Sequence, residues 1–383
     1  MLYRELGKTK EKISILGFGC MRLPILDGNA EQINENKASE MIKYALSKGV
    51  NYFDTAFPYH SNSRGKGGAS EVFLGNAIKQ YRNKVYLATK LPSWLIKTRS
   101  DMDRYLDLQL ERLQTDYIDF YLLHCLNIEN WNILSNSDVF NFLESAKQDG
   151  RIKYAGFSFH DEFPLFKNIV DSYDWSFCQI QYNYMDENYQ AGTQGLNYAK
   201  EKGLGTIIME PLRGGGLANV VPSDIQENFD KAEIKKSPVE WALRFLWNKP
   251  EVDLVLSGMS ELNHVIENID IAKRGCQNSL TGSDLAILDE VKSIYASRSK
   301  VNCTGCNYCM PCPVGVNIPA NFAHFNNFYI YKYGAYAKMQ YANFIGDMQK
   351  AKQCVQCGKC ENECPQNIPI IEMLKEVTKT FTI

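Results

Sequence analysis

The sequence predicts a (β/α)8 barrel of the TIM type, an α/β fold, followed by a small cysteine-rich domain. Short β-rich apolar runs alternate with amphipathic stretches to about residue 275, giving eight strand–helix units. Repeated right-handed βα crossovers of that number favour a closed barrel. A length of 383 residues suits a barrel of roughly 250 to 300 residues plus an appendage. Eight of the twelve cysteines fall after Val301, in two tight groups. A doubly wound sheet is the second choice, disfavoured because no Gly-x-Gly-x-x-Gly opens a helix after the first strand.

The elements follow in order. Tyr3–Phe18 reads as a hairpin with a Gly-Lys-Thr turn, leading into a first strand at Leu16–Met21. Ala38, Met41, Ile42, Ala45 and Leu46 share one helical face, and Gly49 stops the helix. A strand at Asn51–Thr55, a helix at Glu71–Tyr81 and a strand at Lys84–Lys90 come next. The helix Asp101–Gln114 turns Met102, Tyr105, Leu106, Leu110 and Leu113 inward. Tyr117–His124 is almost continuously apolar, as a parallel strand buried on both faces requires. Then alternate helix Asp138–Asp149, strand Tyr154–Phe159, helix Glu162–Ser172, strand Phe177–Asn183, helix Gly192–Lys202 and strand Thr206–Glu210. Helix Pro238–Asn248, with Pro suited to a first turn, strand Asp253–Gly258 and helix Leu262–Lys273 complete the series. Asp284–Lys300 reads as a last helix and linker, placing the domains at 1–298 and 299–383.

Composition narrows the function classes. Hydrophobic content of 45% and charged content of 22% are those of a globular protein. A net charge of −2 argues against nucleic acid or an anionic membrane as partner. The N-terminus shows no apolar signal region, and no apolar run approaches the roughly 18 residues of a membrane span. A cytoplasmic location is expected. Without a secretory signal, clustered cysteines point to metal rather than disulfides.

Candidate chemistry sits at the strand ends. The second strand delivers Asp54, and Tyr59 follows across a Pro58 turn. The third ends at Lys90 and the fourth at His124. A barrel brings the C-terminal ends of its strands to one rim, where active sites lie. Singly, these are a capping Asp, a packed Tyr, a snorkelling Lys and a core-edge His. As a set at successive strand ends they point to catalysis.

With these residues in view, the chain over about residues 1–298 resembles the aldo-keto reductase family. The matching motifs are Phe53-Asp-Thr-Ala with Tyr59, Lys90, His124 after Leu122-Leu123, Gly150–Ser158, and Gln179-Ile-Gln-Tyr-Asn183. The resemblance implies reduction of a carbonyl, or oxidation of an alcohol, with NADP or NAD and no metal at that site. It makes Tyr59 the general acid, Lys90 the neighbouring charge that eases phenol ionisation, and Asp54 the partner orienting Lys90. His124 becomes the hydrogen-bond donor to the carbonyl oxygen.

The same resemblance implies a set of cofactor contacts. Ser158 and Gln179 take the nicotinamide carboxamide, and Met209 stands where an aromatic usually covers the ring. The run Glu210-Pro-Leu-Arg-Gly-Gly-Gly-Leu, including Leu212 and Gly214, resembles a pyrophosphate loop. Gly258, His264, Glu267 and Asn268 lie toward the adenosine end. The chain departs from the family at Phe159, where Asn is common, at His264, where Arg commonly holds the 2′-phosphate, and at Gly258 in a Lys position. The choice between NADP and NAD therefore stays open.

The tail reads Cys303-x2-Cys306-x2-Cys309-x2-Cys312-Pro and Cys354-x2-Cys357-x2-Cys360-x3-Cys364-Pro. The second is the bacterial ferredoxin run for a [4Fe–4S] cluster, whose fourth Cys ligates the other cluster. Two clusters are expected, one on Cys303, Cys306, Cys309 and Cys364, the other on Cys354, Cys357, Cys360 and Cys312. Local quartets are the fallback, and zinc knuckles the alternative metal. The 41 residues between Cys312 and Cys354 read as helical, resembling the α-helical ferredoxin type. Their aromatics Phe322, Phe325, Phe328, Tyr329, Tyr331, Tyr333 and Tyr336 are expected to pack.

Hydride transfer moves two electrons together, whereas a cluster passes one at a time, and flavin rather than nicotinamide bridges those modes. The clusters thus exchange electrons with a separate redox partner protein, work through a flavin that no motif indicates, or serve as structure. An electron-transfer or redox-sensing protein on a barrel with little carbonyl reductase activity is the alternative function. Trp94 and Trp131, on the loops Pro92–Thr98 and Leu126–Ser137, are candidates to line a substrate pocket, and Arg213–Lys236 is a further specificity loop.

Overall fold

The computed structural model describes residues 1–63, 65–218, 221–330 and 334–381, without the side chains of 335 and 336. It divides into two compact units, Met1–Pro211 with Ala242–Leu280, and Leu212–Trp241 with Thr281–Ile383.

The first unit is a closed barrel of eight parallel strands. They are β1 Leu16–Gly19, β2 Tyr52–Asp54, β3 Tyr86–Leu91, β4 Ile118–Leu126, β5 Ile152–Phe159, β6 Phe177–Gln181, β7 Gly205–Met209 and β8 Leu254–Gly258. Closure is direct: β8 pairs with β1 through Val255 opposite Leu16 and Gly258 opposite Gly19. The helices after successive strands are α1 Glu35–Ser47, α2 Ser70–Ile78, α3 Arg99–Leu113, α4 Val139–Gln148, α5 Phe163–Ser172, α6 Gly192–Glu201, α7 Pro238–Trp247 and α8 Leu262–Ala272. Each lies within a few residues of its expected limits. All nine residues of β4 are buried, matching its almost continuously apolar run.

Aromatic and branched side chains fill the interior. Tyr52, Phe120, Phe177, Ile207 and Leu254 form one buried cluster with Leu6 and Ile13 from the N-terminal hairpin. That hairpin pairs Tyr3–Glu5 with Lys12–Ser14. Leu6 packs where a side chain at Gly205 would stand, so β7 needs glycine there. The first strand is shorter than expected: at Cys20 the chain enters a 3-10 turn, Cys20–Arg22. Two features have no periodic signal in the sequence: the hairpin Ile25–Leu26 with Asn29–Ile33, and the short helix Ile128–Ser135.

The second unit is helical. It comprises Ser223–Phe229, α9 Gly282–Arg298, α10 Ile318–Ile330, α11 Gly334–Phe344, Lys359–Asn362 and α12 Ile370–Phe381. Thr281 and Asp284 form a capping box at the start of α9. Lys236 pairs with the same Asp284 at 2.7 Å. The cysteine-rich part encloses its own core of Val316, Phe322, Phe325, Tyr341, Ile370, Leu374 and Val377. Asn321 ties it together, its Oδ1 accepting from Tyr341 Oη at 2.6 Å and from the Ala351 N–H at 2.8 Å. Phe322 and Phe325 are core residues, and Phe328 and Tyr329 pack edge-on at 5.0 Å. Tyr331 and Tyr333 lie outside the described residues, as does the Tyr336 side chain.

Candidate active site and cysteine-lined cavity

Successive strands bring four polar side chains to the C-terminal rim of the barrel. Asp54 ends β2, Lys90 lies near the end of β3, and His124 lies late in β4. Tyr59 enters on the loop after β2. All four are buried. Lys90 Nζ donates to both Asp54 oxygens, at 2.6 and 2.7 Å, and to the Thr55 carbonyl at 2.8 Å. These bonds use all three ammonium hydrogens. Lys90 therefore acts on Tyr59 through space, its Nζ 5.0 Å from the ring centroid. The His124 ring stands edge-on to Tyr59 at 6.0 Å, and Trp94 lies 5.2 Å from His124.

Burial governs the electrostatics. It pushes the Tyr59 phenol well above its ordinary pKa, and Asp54, Cys125 and Glu210 add to the rise. Desolvation is the largest influence on the phenol, and it acts in the direction of the neutral form. Tyr59 is thus held protonated, the state a proton donor needs. Burial raises Asp54 too, against the pull of Lys90. Removing Lys90 would strand a buried carboxylate. Lys90→Met is expected to cost about 3–5 kcal/mol, read as a lower urea midpoint. An unchanged midpoint would refute that view of the pair.

A bulge shapes the end of β4. Its register with β5 shifts between Leu123 and Leu126, and Cys125 adopts a positive φ of 54°. The Cys125 N–H donates to Ser158 Oγ at 2.8 Å, joining the His124 segment to β5. Such bulges re-aim side chains beside active sites.

Of the residues matched to cofactor contacts, all but Leu212 and Gly214 lie in the first unit. Ser158 is buried next to the end of β5 and Gln179 in the middle of β6, with Gln179 Nε2 on Met209 Sδ at 3.4 Å. Gln179 Oε1 is buried without a hydrogen-bond partner among the described residues, an acceptor awaiting a donor. Asn268, on α8, donates to Ser257 Oγ at 3.0 Å, while His264 and Glu267 are exposed on the same helix. Glu210 has a positive φ of 55°, and its carbonyl accepts from Asn183 Nδ2 at 3.1 Å. Leu212 and Gly214 fall in the second unit, where Gly214 has a φ of 66°.

Arg22 escaped the sequence reading. It follows β1, its stem lies 3.2 Å from where a Gly258 side chain would begin, and its Nη2 stands 3.7 Å from Glu210. An arginine thus fills the space that a side chain at Gly258 would take. No periodic signal marks it, because the proximity of residues 22 and 258 exists only through barrel closure. Trp131 packs edge-on against Phe140 at 6.0 Å.

In the second unit, a cavity is lined by Cys303, Cys306, Cys309 and Cys364, with walls including Ile318, Phe322, Ile368 and Ile370. Burial pushes the Cys309 thiol up, and Cys306, Cys303 and Cys364 reinforce the shift. Burial also raises the Cys360 thiol, to about 11, with Glu361, Cys354 and Cys312 adding to it. Among the described residues no three His, Cys, Asp or Glu side chains converge as ligands of a single metal ion. Four sulfurs around an apolar cavity suit the donor chemistry of an iron–sulfur cluster.

Comparison with known proteins adds to this geometry. The profile described as "Aldo/keto reductase family" matches residues 15–292, and that described as "4Fe-4S dicluster domain" matches residues 302–368. The chain is similar to an L-galactose dehydrogenase of Arabidopsis thaliana, 28% identical over 76% of this chain and 95% of the relative. An uncharacterized oxidoreductase of Bacillus subtilis is 28% identical over 71% of this chain and 91% of its own length. Among solved structures, the holo form of an aldo-keto reductase from Bacillus halodurans superposes with a TM-score of 0.63. It is 25% identical, over 76% of this chain and 96% of that one.

Proposed function

The chain belongs to the aldo/keto reductase family and carries a 4Fe-4S dicluster domain, and from this we propose a nicotinamide-dependent enzyme interconverting a small aldehyde or ketone and its alcohol. One observation carries the reading: Lys90, buried and bonded to both Asp54 oxygens, lies 5.0 Å from the ring of a phenol that burial keeps protonated. The nicotinamide, when bound, supplies hydride to the carbonyl carbon. Tyr59 Oη gives its proton to the carbonyl oxygen, the Lys90 charge steadies the phenolate left behind, and Asp54 holds Lys90 in place. His124 fixes the carbonyl oxygen by a hydrogen bond. Trp94, against His124, shapes the approach for the substrate.

The buried amide of Gln179 and the Ser158 hydroxyl fit a nicotinamide carboxamide, which offers both a donor and an acceptor. Met209, Glu210, Gly258, His264, Glu267 and Asn268 complete the contacts proposed in the first unit. With no Arg or Lys at 258 or 264, NAD and NADP both stand as cofactors. Arg22 is the nearby cation suited to nucleotide phosphates. Arg22→Ala is expected to weaken nucleotide affinity about tenfold, the loss of one charge-assisted contact, while kcat holds. Titrating NADH and NADPH by fluorescence reads this, and an unchanged Kd would remove Arg22 from the nucleotide site.

We assign the two clusters the crossed ligand sets, Cys303, Cys306, Cys309 and Cys364 beside Cys354, Cys357, Cys360 and Cys312. Bound there, they would pass single electrons to or from a redox partner protein, or brace the helices around them. Domain limits at 1–298 and 299–383 and a cytoplasmic setting belong to the same proposal. No described helix is long and apolar enough to cross a membrane. The experiment that tests the function is NAD(P)H oxidation with a panel of aldehydes and quinones, before and after cluster removal. Carbonyl-dependent oxidation supports it. Oxidation with none of the carbonyls favours the sensor.

A further inference from the structure

Behind the candidate site lies a buried network that its chemistry does not use. Glu71, in the first turn of α2, is fully buried, and its Oε2 accepts from Arg112 Nε at 2.8 Å. Its Oε1 accepts from Thr89 Oγ1 and from Gln109 Nε2, each at 2.7 Å. A carboxylate placed there is costly unless every lone pair finds a donor. Three contacts on one carboxylate, from strand β3 and helix α3, make a rigid joint rather than a surface ion pair.

Two arms leave this joint, and both end on the candidate site. Gln109 Nε2 also donates to the Lys90 carbonyl at 3.0 Å, and its Oε1 is fixed by Tyr121 Oη at 2.8 Å. That arm holds the backbone from which Lys90 springs. On the other arm, Arg112 Nη2 donates to the Gly68 carbonyl. The segment around Gly68 clasps the loop that carries Tyr59: the Gly68 N–H donates to Phe57 O at 2.8 Å, Ala69 N–H to His60 O at 2.9 Å, and Ser70 N–H to Tyr59 O at 3.3 Å. A Cβ at Gly68 would collide with the Tyr59 carbonyl, and one at Gly67 would come within 2.9 Å of Arg112 Nη1. Gly68 is needed for the clasp to close. Phe57 lies under the guanidinium, 5.8 Å from its ring centre, and packs against Tyr105.

We propose that Arg112, oriented by Glu71, is a positioning residue: it locks the Gly68 clasp on the Tyr59 loop, while the same Glu71 through Gln109 locks Lys90. The joint thereby fixes the separation between the phenol and the ammonium. It touches neither substrate nor cofactor. This rests on Tyr59 being the proton donor.

Arg112→Lys keeps a cation beside Glu71 but cannot span Glu71 and Gly68 together, because the fork is lost. With NADPH and 4-nitrobenzaldehyde as probes, kcat is expected to fall about 10- to 100-fold, the scale of a displaced reacting group. The KM for the aldehyde and the Kd for NADPH should stay within about twofold, since neither ligand loses a contact. Placed on Tyr59→Phe, the change should lower the remaining turnover by less than about twofold, as residues acting through one another do not add. Near-UV circular dichroism checks folding. Thr89→Val, which removes one donor to Glu71 at equal size, is the second variant and should show a smaller loss with the same non-additivity. Wild-type kcat in a folded Arg112→Lys protein, or an equal loss on both backgrounds, overturns the inference alone. Wild-type turnover in Tyr59→Phe would overturn the site reading and this inference with it.

Discussion

Replacing Tyr59 with Phe is expected to lower kcat about 10²- to 10⁴-fold, the usual worth of a positioned general acid, with cofactor affinity almost unchanged. The substitution removes one oxygen and leaves the ring, so the 5.0 Å approach of Lys90 and the edge contact with His124 are retained. Only the proton is lost. Burial sets the sign of the pH dependence: a phenol raised well above its ordinary pKa stays protonated at neutral pH. The donor is present below that raised pKa and is lost as pH climbs through it. Reduction by the wild-type enzyme should therefore not decline through Tyr59 between neutral and mildly alkaline pH. Stopped-flow single turnovers separate chemistry from product release. Turnover in Tyr59→Phe at the wild-type rate would remove the phenol from the mechanism.

Loss of cluster ligands is the second large effect, and paired substitutions read the ligand assignment directly. With crossed ligation, Cys303→Ser with Cys364→Ser strikes one cluster and leaves about four irons of the eight that two cubane clusters hold. Cys354→Ser with Cys364→Ser strikes both and leaves almost none. Local quartets reverse this outcome, so iron and sulfide counts on anaerobically purified protein decide between them. The cavity lining places Cys364 with Cys303, Cys306 and Cys309, which is the basis for expecting the crossed result. The consequence should reach the fold. Cys303, Cys309, Cys312, Cys354, Cys360 and Cys364 all pack against the core built on Phe322, Phe325 and Leu374. Removing both clusters should melt the helices of this region, seen as a lower helical signal in circular dichroism and early proteolysis within 299–383. Retained helicity without iron would make the clusters dispensable to the fold.

The barrel was legible because its signals are local. Strand and helix periods, Gly49 after α1, and the apolar run of β4 each follow from residues near one another in the chain. The departures arise where tertiary constraints prevail. Strand β1 stops at Gly19, and the chain turns at Cys20, whose carbonyl accepts the Ser70 hydroxyl at 3.2 Å. The bulge at Cys125 has no sequence period to mark it, because it arises where Ser158 takes the backbone N–H of a neighbouring strand. Glu71 is hidden for a similar reason. In sequence it is an acidic residue at the start of a helix, which usually means a solvated cap, and only α3 folding over it shows a buried joint.

By itself, the sequence determined the eight-fold alternation, the identity of Asp54, Tyr59, Lys90 and His124, and two cysteine runs of iron–sulfur spacing. Those depend on residue type and on short-range order along the chain. Tertiary structure decided what surrounds them. It paired the Lys90 ammonium with Asp54, buried the phenol so that its pKa rises, laid Arg22 along Gly258, and set Cys364 on a cavity with three cysteines some 55 to 61 positions earlier. The physical reason is common to all four. Charge, desolvation and cavity shape depend on distances through space, and closing the barrel and folding the tail helices fix those distances.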